Sequence, residues 1–457
     1  MKKYIFILGL CLCTSAANVF AQEKTEAQQE LDAYMADGIV KFKSKDNNFS
    51  FRVGGRVAMD GAYYFDDFTD RGSGAKFQAA RIRLFSQIGK AFDIKLDFDL
   101  ASSSVIKDAY LRWHTNKNGF LKVGNYAEPF SAENIQSSMD YSFINKSATV
   151  EALGTGRALG VSYRYYHPYF WVEGGLFSQK LATEYNQGDM GYSASARILG
   201  RMTNDDWNFH IGGSVNYRRP NANGFTNGSD DFNRSVVYAS GLESSIDQTK
   251  FLSATVNNVK SIFKYGIEGM ANFRNIYVKG EYIYSRNNRE RDWEYNFQSS
   301  LGSLLSTMFP TMEAYQKFMG ADTPACFSGY TVEAGVLIFG GNYSYNRVDA
   351  LMNRPKGKTL ELVLRYNHTD LNDIVDGNIF YNGAFYTSSL HASFGLKDQS
   401  IAGGKADTFT VGLNYYVTDN IVTRLNYSYQ KVDNQYNLPM SLDKNLHSIQ
   451  ARVAFEF

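Results

Sequence analysis

Between Phe77 and Trp113 the chain reads FQAARIRLFSQIGKAFDIKLDFDLASSSVIKDAYLRW. Ile82 and Leu84 alternate with Arg81 and Arg83. Beyond a turn at Gly89-Lys90, the residues Ile94, Leu96, Phe98 and Leu100 alternate with Asp93, Lys95, Asp97 and Asp99. A strict period of two means β-strands with two unlike faces. One row is wholly apolar and the other carries a charge at nearly every step. A soluble sandwich mixes Ser, Thr and Gly into its outward row and ends its strands after five or six residues. A wall between lipid and water instead needs strands of about 9 to 11 residues, apolar on the outside and polar on the inside. The expected fold class is therefore all-β, a transmembrane antiparallel β-barrel.

The same alternation recurs in sixteen segments, beginning near Phe49, Lys76, Ala91, Ile106, Gly119, Gly156, Tyr169, Met190, Trp207, Ile262, Asn275, Gly329, Lys358, Lys405, Asn420 and Leu446. The connections sort by parity. After even-numbered segments they are mostly short, as at Gly89-Lys90, His167-Pro168, Arg274-Asn275 and Thr418-Asp419. After odd-numbered ones several are long: Ala127 to Thr155, Arg219 to Ser261, Arg286 to Ser328 and Thr369 to Gly404. An outer-membrane barrel sorts its loops this way, with short periplasmic turns and long extracellular loops. Two connections break the rule: Ala101 to Val105 is short for its class, and Asp349 to Gly357 is long for its class. The loop from 286 to 328 holds LGSLLSTMFPTMEAYQKFMG, apolar enough to be expected to pack over the barrel mouth or at a subunit contact.

Composition supports a barrel over helical spans. Aromatic residues make up 15% of the chain, although mean hydropathy is only −0.35. Aromatic girdles at both interfaces require that combination. Residues 1–21 read as a signal peptide: Lys2 and Lys3, an apolar run from Tyr4 to Cys13, and Val19-Phe20-Ala21 as cleavage site. Residues 22–48 form a polar periplasmic segment in which Ala27 to Met35 is expected to be a short helix, and 49–457 form the barrel. Cys11 and Cys13 leave with the signal, so Cys326 stands alone. A disulfide within the chain and a Cys-rich metal site are excluded, and no metal or other cofactor is expected. Without Lys2 and Lys3, 45 basic residues face 46 acidic ones, a balance that implies no nucleic-acid partner.

A Lys or Arg facing lipid near the bilayer midplane costs roughly 2 to 4 kcal/mol. Charged residues alternating with an apolar row should therefore point into the lumen. That parity selects Arg52, Arg56, Arg81, Arg83, Lys95, Arg112, Lys122, Arg164, Arg197, Arg218, Lys279, Arg365, Arg424 and Arg452. Against them it selects Asp60, Asp93, Asp97, Asp99, Asp108, Glu173, Glu268, Glu281, Glu361 and Glu456, giving 14 cations and 10 anions. Rings of Arg and Lys select for anions, and the Arg fork suits phosphate. The competing reading is that these charges pair between neighbouring strands and hold the barrel open. Arg157 falls in the apolar row of Leu159, Val161 and Tyr163, which places it at the mouth, beyond the hydrocarbon.

The chain ends in LHSIQARVAFEF, with Ile449, Ala451, Val453, Phe455 and Phe457 in one apolar row. Such a terminal strand is the feature by which outer-membrane barrels meet their insertion machinery. Several further stretches resemble the phosphate-selective porin O and P family: FSFRVGGRVAMDGAYYF from Phe49, FDIKLDFDLA, KDAYLRW, LKVGNYAEPFSAENIQSSMD from Leu121, GTGRALGVSY from Gly154 and GGKADTFTVGLNYYVTDN from Gly403. The resemblance implies a trimeric, sixteen-stranded porin in the outer membrane of a Gram-negative bacterium, whose third extracellular loop, here Ala127 to Thr155, folds inward and narrows the pore. In that loop Phe130, Glu133, Ser137 and Ser138 match the family pattern. Glu128 and Lys146 join them as candidate constriction residues.

One departure bears on the solute. Phosphate-type members of the family carry adjacent arginines at the start of the second strand, where this chain reads Phe77-Gln78-Ala79. The expected function is passive diffusion of small hydrophilic solutes with a mild preference for anions, phosphate among the candidates. The alternative is a non-selective pore, or a barrel whose long loops serve as adhesin or receptor. An enzyme is the weakest reading, because the six His residues form no recognisable Ser/His/acid arrangement.

Overall fold

The computed structural model describes residues 31–36, 39–46, 48–65, 71–178, 189–204, 206–222, 234–290, 293–294, 297, 310–319, 323–374, 379–381, 384–386, 400–435 and 445–457. The signal segment, and residues 301–309 and 320 of the 286–328 loop's apolar stretch, lie outside the described residues; Met312–Met319 of that stretch is a helix. Sixteen antiparallel strands close into a barrel. They are β1 Phe49–Tyr64, β2 Gly74–Ile88, β3 Phe92–Asp99, β4 Ile106–Asn116, β5 Gly119–Ala127, β6 Arg157–Tyr166, β7 Phe170–Phe177 and β8 Tyr192–Thr203. The second half comprises β9 Trp207–Arg219, β10 Val259–Phe273, β11 Ile276–Arg289, β12 Ala325–Phe339, β13 Thr359–Asp373, β14 Ile401–Tyr416, β15 Ile421–Gln435 and β16 Asn445–Glu456. Each strand pairs with the next. β16 closes on β1 with Arg452 opposite Asp60, and the Gly55 amide donates to the terminal Phe457 carbonyl at 2.8 Å.

The wall is inside-out relative to a soluble protein. Ile82, Val123, Ile198, Ile211, Ile267, Val332, Leu425 and Val453 are exposed, while Arg56, Arg197, Arg365 and Arg424 are among the largest fully buried side chains. The two rows follow from the pleat. Among several register shifts, a β-bulge breaks the parity at a decisive place: Ala58 faces Ala79 but Met59 faces Phe77, so Gln78 has no cross-strand partner. Phe77 therefore turns outward although it shares its parity with Arg81 and Arg83.

On β5, Gly124 sits at φ +137, a region that side-chain-bearing residues rarely enter. A Cβ there would overlap the Ala109 carbonyl oxygen and come within 2.6 Å of the Tyr110 Cα on β4. Gly124→Ala is expected to lower the temperature at which the barrel loses its heat-modifiable gel mobility, in keeping with strain of about 1 to 3 kcal/mol. Unchanged mobility up to the wild-type temperature would contradict this.

The leader differs from expectation. Leu31–Ala36 is a strand rather than the end of a helix, and it pairs with Ile39–Ser44, which in turn pairs with β1 from Ser50 to Val53. The reason is an open edge: β16 covers β1 only from Arg56 onward, so the amides and carbonyls below it recruit a strand.

Two long connections enter the barrel at the long-loop end. The 128–156 connection carries helical turns at Ala132–Ile135 and Ala148–Leu153, the latter capped by Ser147, whose hydroxyl accepts from the Val150 amide. The 220–258 connection carries a hairpin, Val236–Ser240 with Leu252–Val256. Phe130, Leu153, Leu242, Phe251, Phe327, Leu371 and Leu446 lie in the buried apolar cluster these segments form with the inward row. At roughly 1.5 to 3 kcal/mol for each large side chain, it is a second core built inside a barrel whose own wall has none.

A third connection enters from the short-turn end. β12 stops at Phe339, before Gly340 at φ +115, so the connection runs from 340 to 358 and exceeds the stretch expected from sequence. The alternating Tyr343 and Tyr345 imitate a continuing strand but point into the lumen. Tyr343 donates to Glu361 at 2.6 Å, and the Tyr345 hydroxyl meets His210 Nδ1 at 3.0 Å.

Candidate channel lining

The 128–156 connection crosses the interior from β5 and is held by inward side chains of distant strands. Arg56 on β1 donates to the Ser138 and Ser137 hydroxyls, both at 2.8 Å. Arg424 on β15 donates to the Met139 carbonyl at 2.6 Å, and Asn414 on β14 donates to the Ser142 carbonyl at 2.7 Å. Lys264 on β10 donates to the Leu153 carbonyl at 2.8 Å. The hub is Arg365 on β13. It donates to the Asn145 carbonyl at 3.1 Å, lies 3.4 Å from both Glu133 and Glu333, and pairs with Glu243 of the 220–258 connection. Glu133 in turn accepts from the Ser147 amide at 2.8 Å and hydroxyl at 2.6 Å.

The 340–358 connection fills the interior beside β6–β9. Successive backbone carbonyls are gripped by the wall: that of Arg347 by Arg201 at 2.5 Å, Val348 by Trp171 at 2.8 Å and Ala350 by Arg197 at 3.0 Å. Asp349 pairs with Arg164 at 2.5 Å. Burial would push the Asp349 carboxyl up, but Arg164 and Lys122 outweigh it and hold the group below the usual carboxylate range.

With those segments in place the interior is lopsided. Between the 128–156 connection and β9–β12 lies a small pocket of about 40 Å³. On the other side, against β1–β4 and β16, there is an open cavity of about 500 Å³. Its lining includes seven cations (Arg56, Arg81, Arg83, Lys95, Lys146, Arg157 and Arg452) and four carboxylates (Asp97, Asp108, Asp140 and Glu456). The wall acids are shared. Asp97 lies 3.3 Å from Arg83 and 3.6 Å from Arg81. Asp108 lies 2.7 Å from Lys95 and 2.9 Å from Arg157, and Glu456 lies 2.9 Å from Arg56 and 2.5 Å from Arg83. Pairing between neighbouring strands and enrichment in positive charge thus coexist, because each acid is divided between two or more bases, Arg354 of the 340–358 connection also lying 3.5 Å from Glu456.

The sequence-derived residues separate accordingly. Arg56, Arg81, Arg83, Lys95 and Asp97 on the wall, with Ser137, Ser138 and Lys146 on the loop, line the cavity. Asp99 supports Arg81 from 3.1 Å. Arg52 lies over the Phe85 ring, Arg112 pairs with Asp93 at 3.0 Å, and Lys122 pairs with Glu173 at 3.1 Å, so all three face inward away from the cavity. Arg365 and Arg424 are sealed under the loop. Glu128, Phe130 and Glu133 are anchors: buried Glu128 accepts from Ser195 at 2.6 Å and Asn216 at 2.8 Å and pairs with Arg218. Arg157, the first residue of β6, turns its guanidinium inward to Asp108 instead of lying with the apolar row. Asp140 and Gln78 also line the cavity, and strand parity had no means of selecting either. His114 pairs with Asp93 at 2.6 Å and His368 with Asp407 at 2.8 Å; neither of these contacts, nor that of His210 with Tyr345, involves a serine.

Two loop groups in the cavity have displaced protonation equilibria. Burial lowers the Lys146 ammonium to about 8 against the pull of Glu133. Burial raises the Asp140 carboxyl against Arg354 and Arg56.

Comparison with known proteins agrees with this architecture. OmpT, an outer membrane protein of Vibrio cholerae in its trimer form, superposes with a TM-score of 0.50 over 90% of this chain and 99% of its own, at 12% identity. An anion-selective porin from Comamonas acidovorans gives a TM-score of 0.48 over 90% of this chain and 100% of its own, at 11% identity. An uncharacterised protein of Caulobacter vibrioides is 22% identical over 411 residues, 85% of this chain and 70% of that protein. The profile of the family described as phosphate-selective porin O and P matches residues 51–457. The chain therefore belongs to that family and is an outer-membrane porin of a Gram-negative bacterium.

Proposed function

We propose that this porin passes small hydrophilic solutes by passive diffusion with a mild anion preference, and that it does so as a homotrimer without catalysing any reaction. The observation that carries the reading is the cavity of about 500 Å³ with its seven cations and four carboxylates. Wall charge and diameter are what select in such a pore. The trimer is supported by the assembly named for the Vibrio cholerae neighbour. The removable signal in residues 1–21 and the meeting of the C-terminal strand with insertion machinery belong to the same reading. Phosphate itself is less well supported: Gln78 and Ala79 contribute an amide and a methyl to the lining where two guanidinium groups would offer up to ten N–H donors.

Planar-bilayer recordings under a KCl gradient test the proposal. A reversal potential on the anion side, by a few-fold permeability ratio, is expected, with only weak block by added phosphate. Cation preference would overturn the anion reading, and absence of conductance would overturn the channel.

Lys146 makes the preference pH-dependent. Its ammonium is fully charged well below pH 8 and is lost as the pH rises through about 8. Anion preference should therefore decline between pH 7 and pH 9, and Lys146→Met should start lower and flatten the profile. A wild-type ratio that does not change over that range would show that Lys146 does not act on the permeating ions.

A further inference from the structure

Asp140 is the odd member of the cavity. The other three carboxylates there are each paired with at least two cations, whereas the Asp140 carboxylate makes no hydrogen bond and no ion pair among the described residues. It is not adrift. Its amide donates to the Ser137 carbonyl at 2.9 Å, and its own carbonyl accepts from Gln136 Nε2 at 2.7 Å, so the backbone beneath it is fixed. A half-buried carboxylate with no donor of its own is a cost to the fold. The nearby charges of Arg354 and Arg56 offset that cost only in part, and a cation or a donor arriving from the lumen offsets more of it.

The wall supplies the complementary half. Arg81 donates through Nε to Asp99 and Arg83 through Nη1 to Glu456, while Asp97 lies 3.6 Å from Arg81 and 3.3 Å from Arg83 as an ion-pair partner. The Nη2 groups of both have no hydrogen bond to protein among the described residues, so the fork still offers donors to a carboxylate. The one cavity thus holds spare guanidinium donors on β2 and a spare carboxylate on the loop.

We propose that this cavity takes small zwitterions, solutes of the amino-acid and short-peptide class, with the carboxylate on Arg81 and Arg83 and the ammonium on Asp140. The proposal rests on the channel reading above and sharpens it. A monovalent carboxylate without an ammonium group meets the same arginines but faces Asp140 uncompensated, and a multiply charged anion such as phosphate meets a larger repulsion. A neutral sugar gains from neither group.

Liposome swelling with the full-length porin distinguishes the possibilities. The probes are glycylglycine, N-acetylglycine, which keeps the carboxylate but lacks the ammonium, and glucose as neutral reference. Glycylglycine is expected to enter several-fold faster than N-acetylglycine. In Asp140→Asn that ratio should fall to about one, and Asp140→Glu should retain most of it. Heat-modifiable gel mobility confirms that each variant is folded. Equal rates for the two solutes in the wild type, or a ratio untouched by Asp140→Asn, would overturn the zwitterion site while swelling in glucose leaves the channel standing. No swelling in any solute would overturn the channel, and this proposal with it.

Discussion

Arg365→Met is expected to give a porin with several-fold higher single-channel conductance, frequent gating, and a markedly lower temperature of unfolding. Arg365 is fully buried and is the shared partner of Glu133, Glu243 and Glu333, which lie on two inward-folded connections and on β12. Methionine fills much of the volume but leaves the three carboxylates with one cation fewer. Lys279, 2.8 Å from Glu333, and Lys146, which feels Glu133, are left to balance them. Removing one partner of a buried charge pair typically costs about 3 to 5 kcal/mol, because the surviving charge stays desolvated. The wall holds its own hydrogen-bonded ladder, so the loops are the part that can yield. Without Arg365, Glu133 loses its ion pair to β13 and Glu243 is left with its hydrogen bonds from Asn367 and Thr410, so the 128–156 and 220–258 connections sit less firmly and the closely packed side of the barrel, with its pocket of about 40 Å³, opens to water more often. Wild-type conductance together with wild-type heat stability would show that the apolar cluster alone seats the loops.

The second large effect concerns charge. In the triple variant Arg56→Gln, Arg81→Gln, Arg83→Gln, the reversal potential in a tenfold KCl gradient is expected to move from the anion side to zero or to the cation side. The cavity would then present four cations against four carboxylates, and Asp97, Asp99 and Glu456 would lose their closest bases. One unit charge at about 4 Å is worth roughly 1 kcal/mol even in bulk water, a factor of about five in local ion concentration, and more where the lumen narrows. The β-ladder itself is untouched, so the variant should still insert and remain heat-modifiable. An anion preference that survives the triple change would assign selectivity to Lys146 and Arg157.

These two experiments address parts of the molecule that differ in how far sequence reveals them. Ile82 and Arg83 announce a barrel wall because the environment on each face is extreme. Lipid tolerates no charge and water no continuous apolar row, so the period-two pattern is enforced at nearly every step. The same rule assigns Arg81, Lys95 and Asp97 to the lumen, where they are found, and it locates the beginnings of all sixteen strands to within a few residues. It does not say where the Arg157 guanidinium turns, because a long side chain at a strand end escapes the pleat and reaches Asp108. It cannot foresee Gln78, because a bulge adds one residue without any marker in composition.

The inward-folded connections lie beyond that rule altogether. Tyr343 and Tyr345 alternate like strand residues, and only their inward-facing partners, Glu361 on β13 and His210 on β9, show that they line a plug. Glu243 occupies a loop with no periodic signal, yet it accepts from Asn367 at 2.5 Å and from Thr410 at 2.9 Å and joins Arg365. By itself the sequence determined the class of fold, the parity of the wall and the sign of most lumen charges, since each follows from a local choice between lipid and water. Tertiary structure alone decided which half of the lumen is filled, which arginines are sealed and which remain open, and that Asp140 is left unpaired. Those outcomes depend on contacts between residues tens to hundreds of positions apart, whose energies no local pattern records.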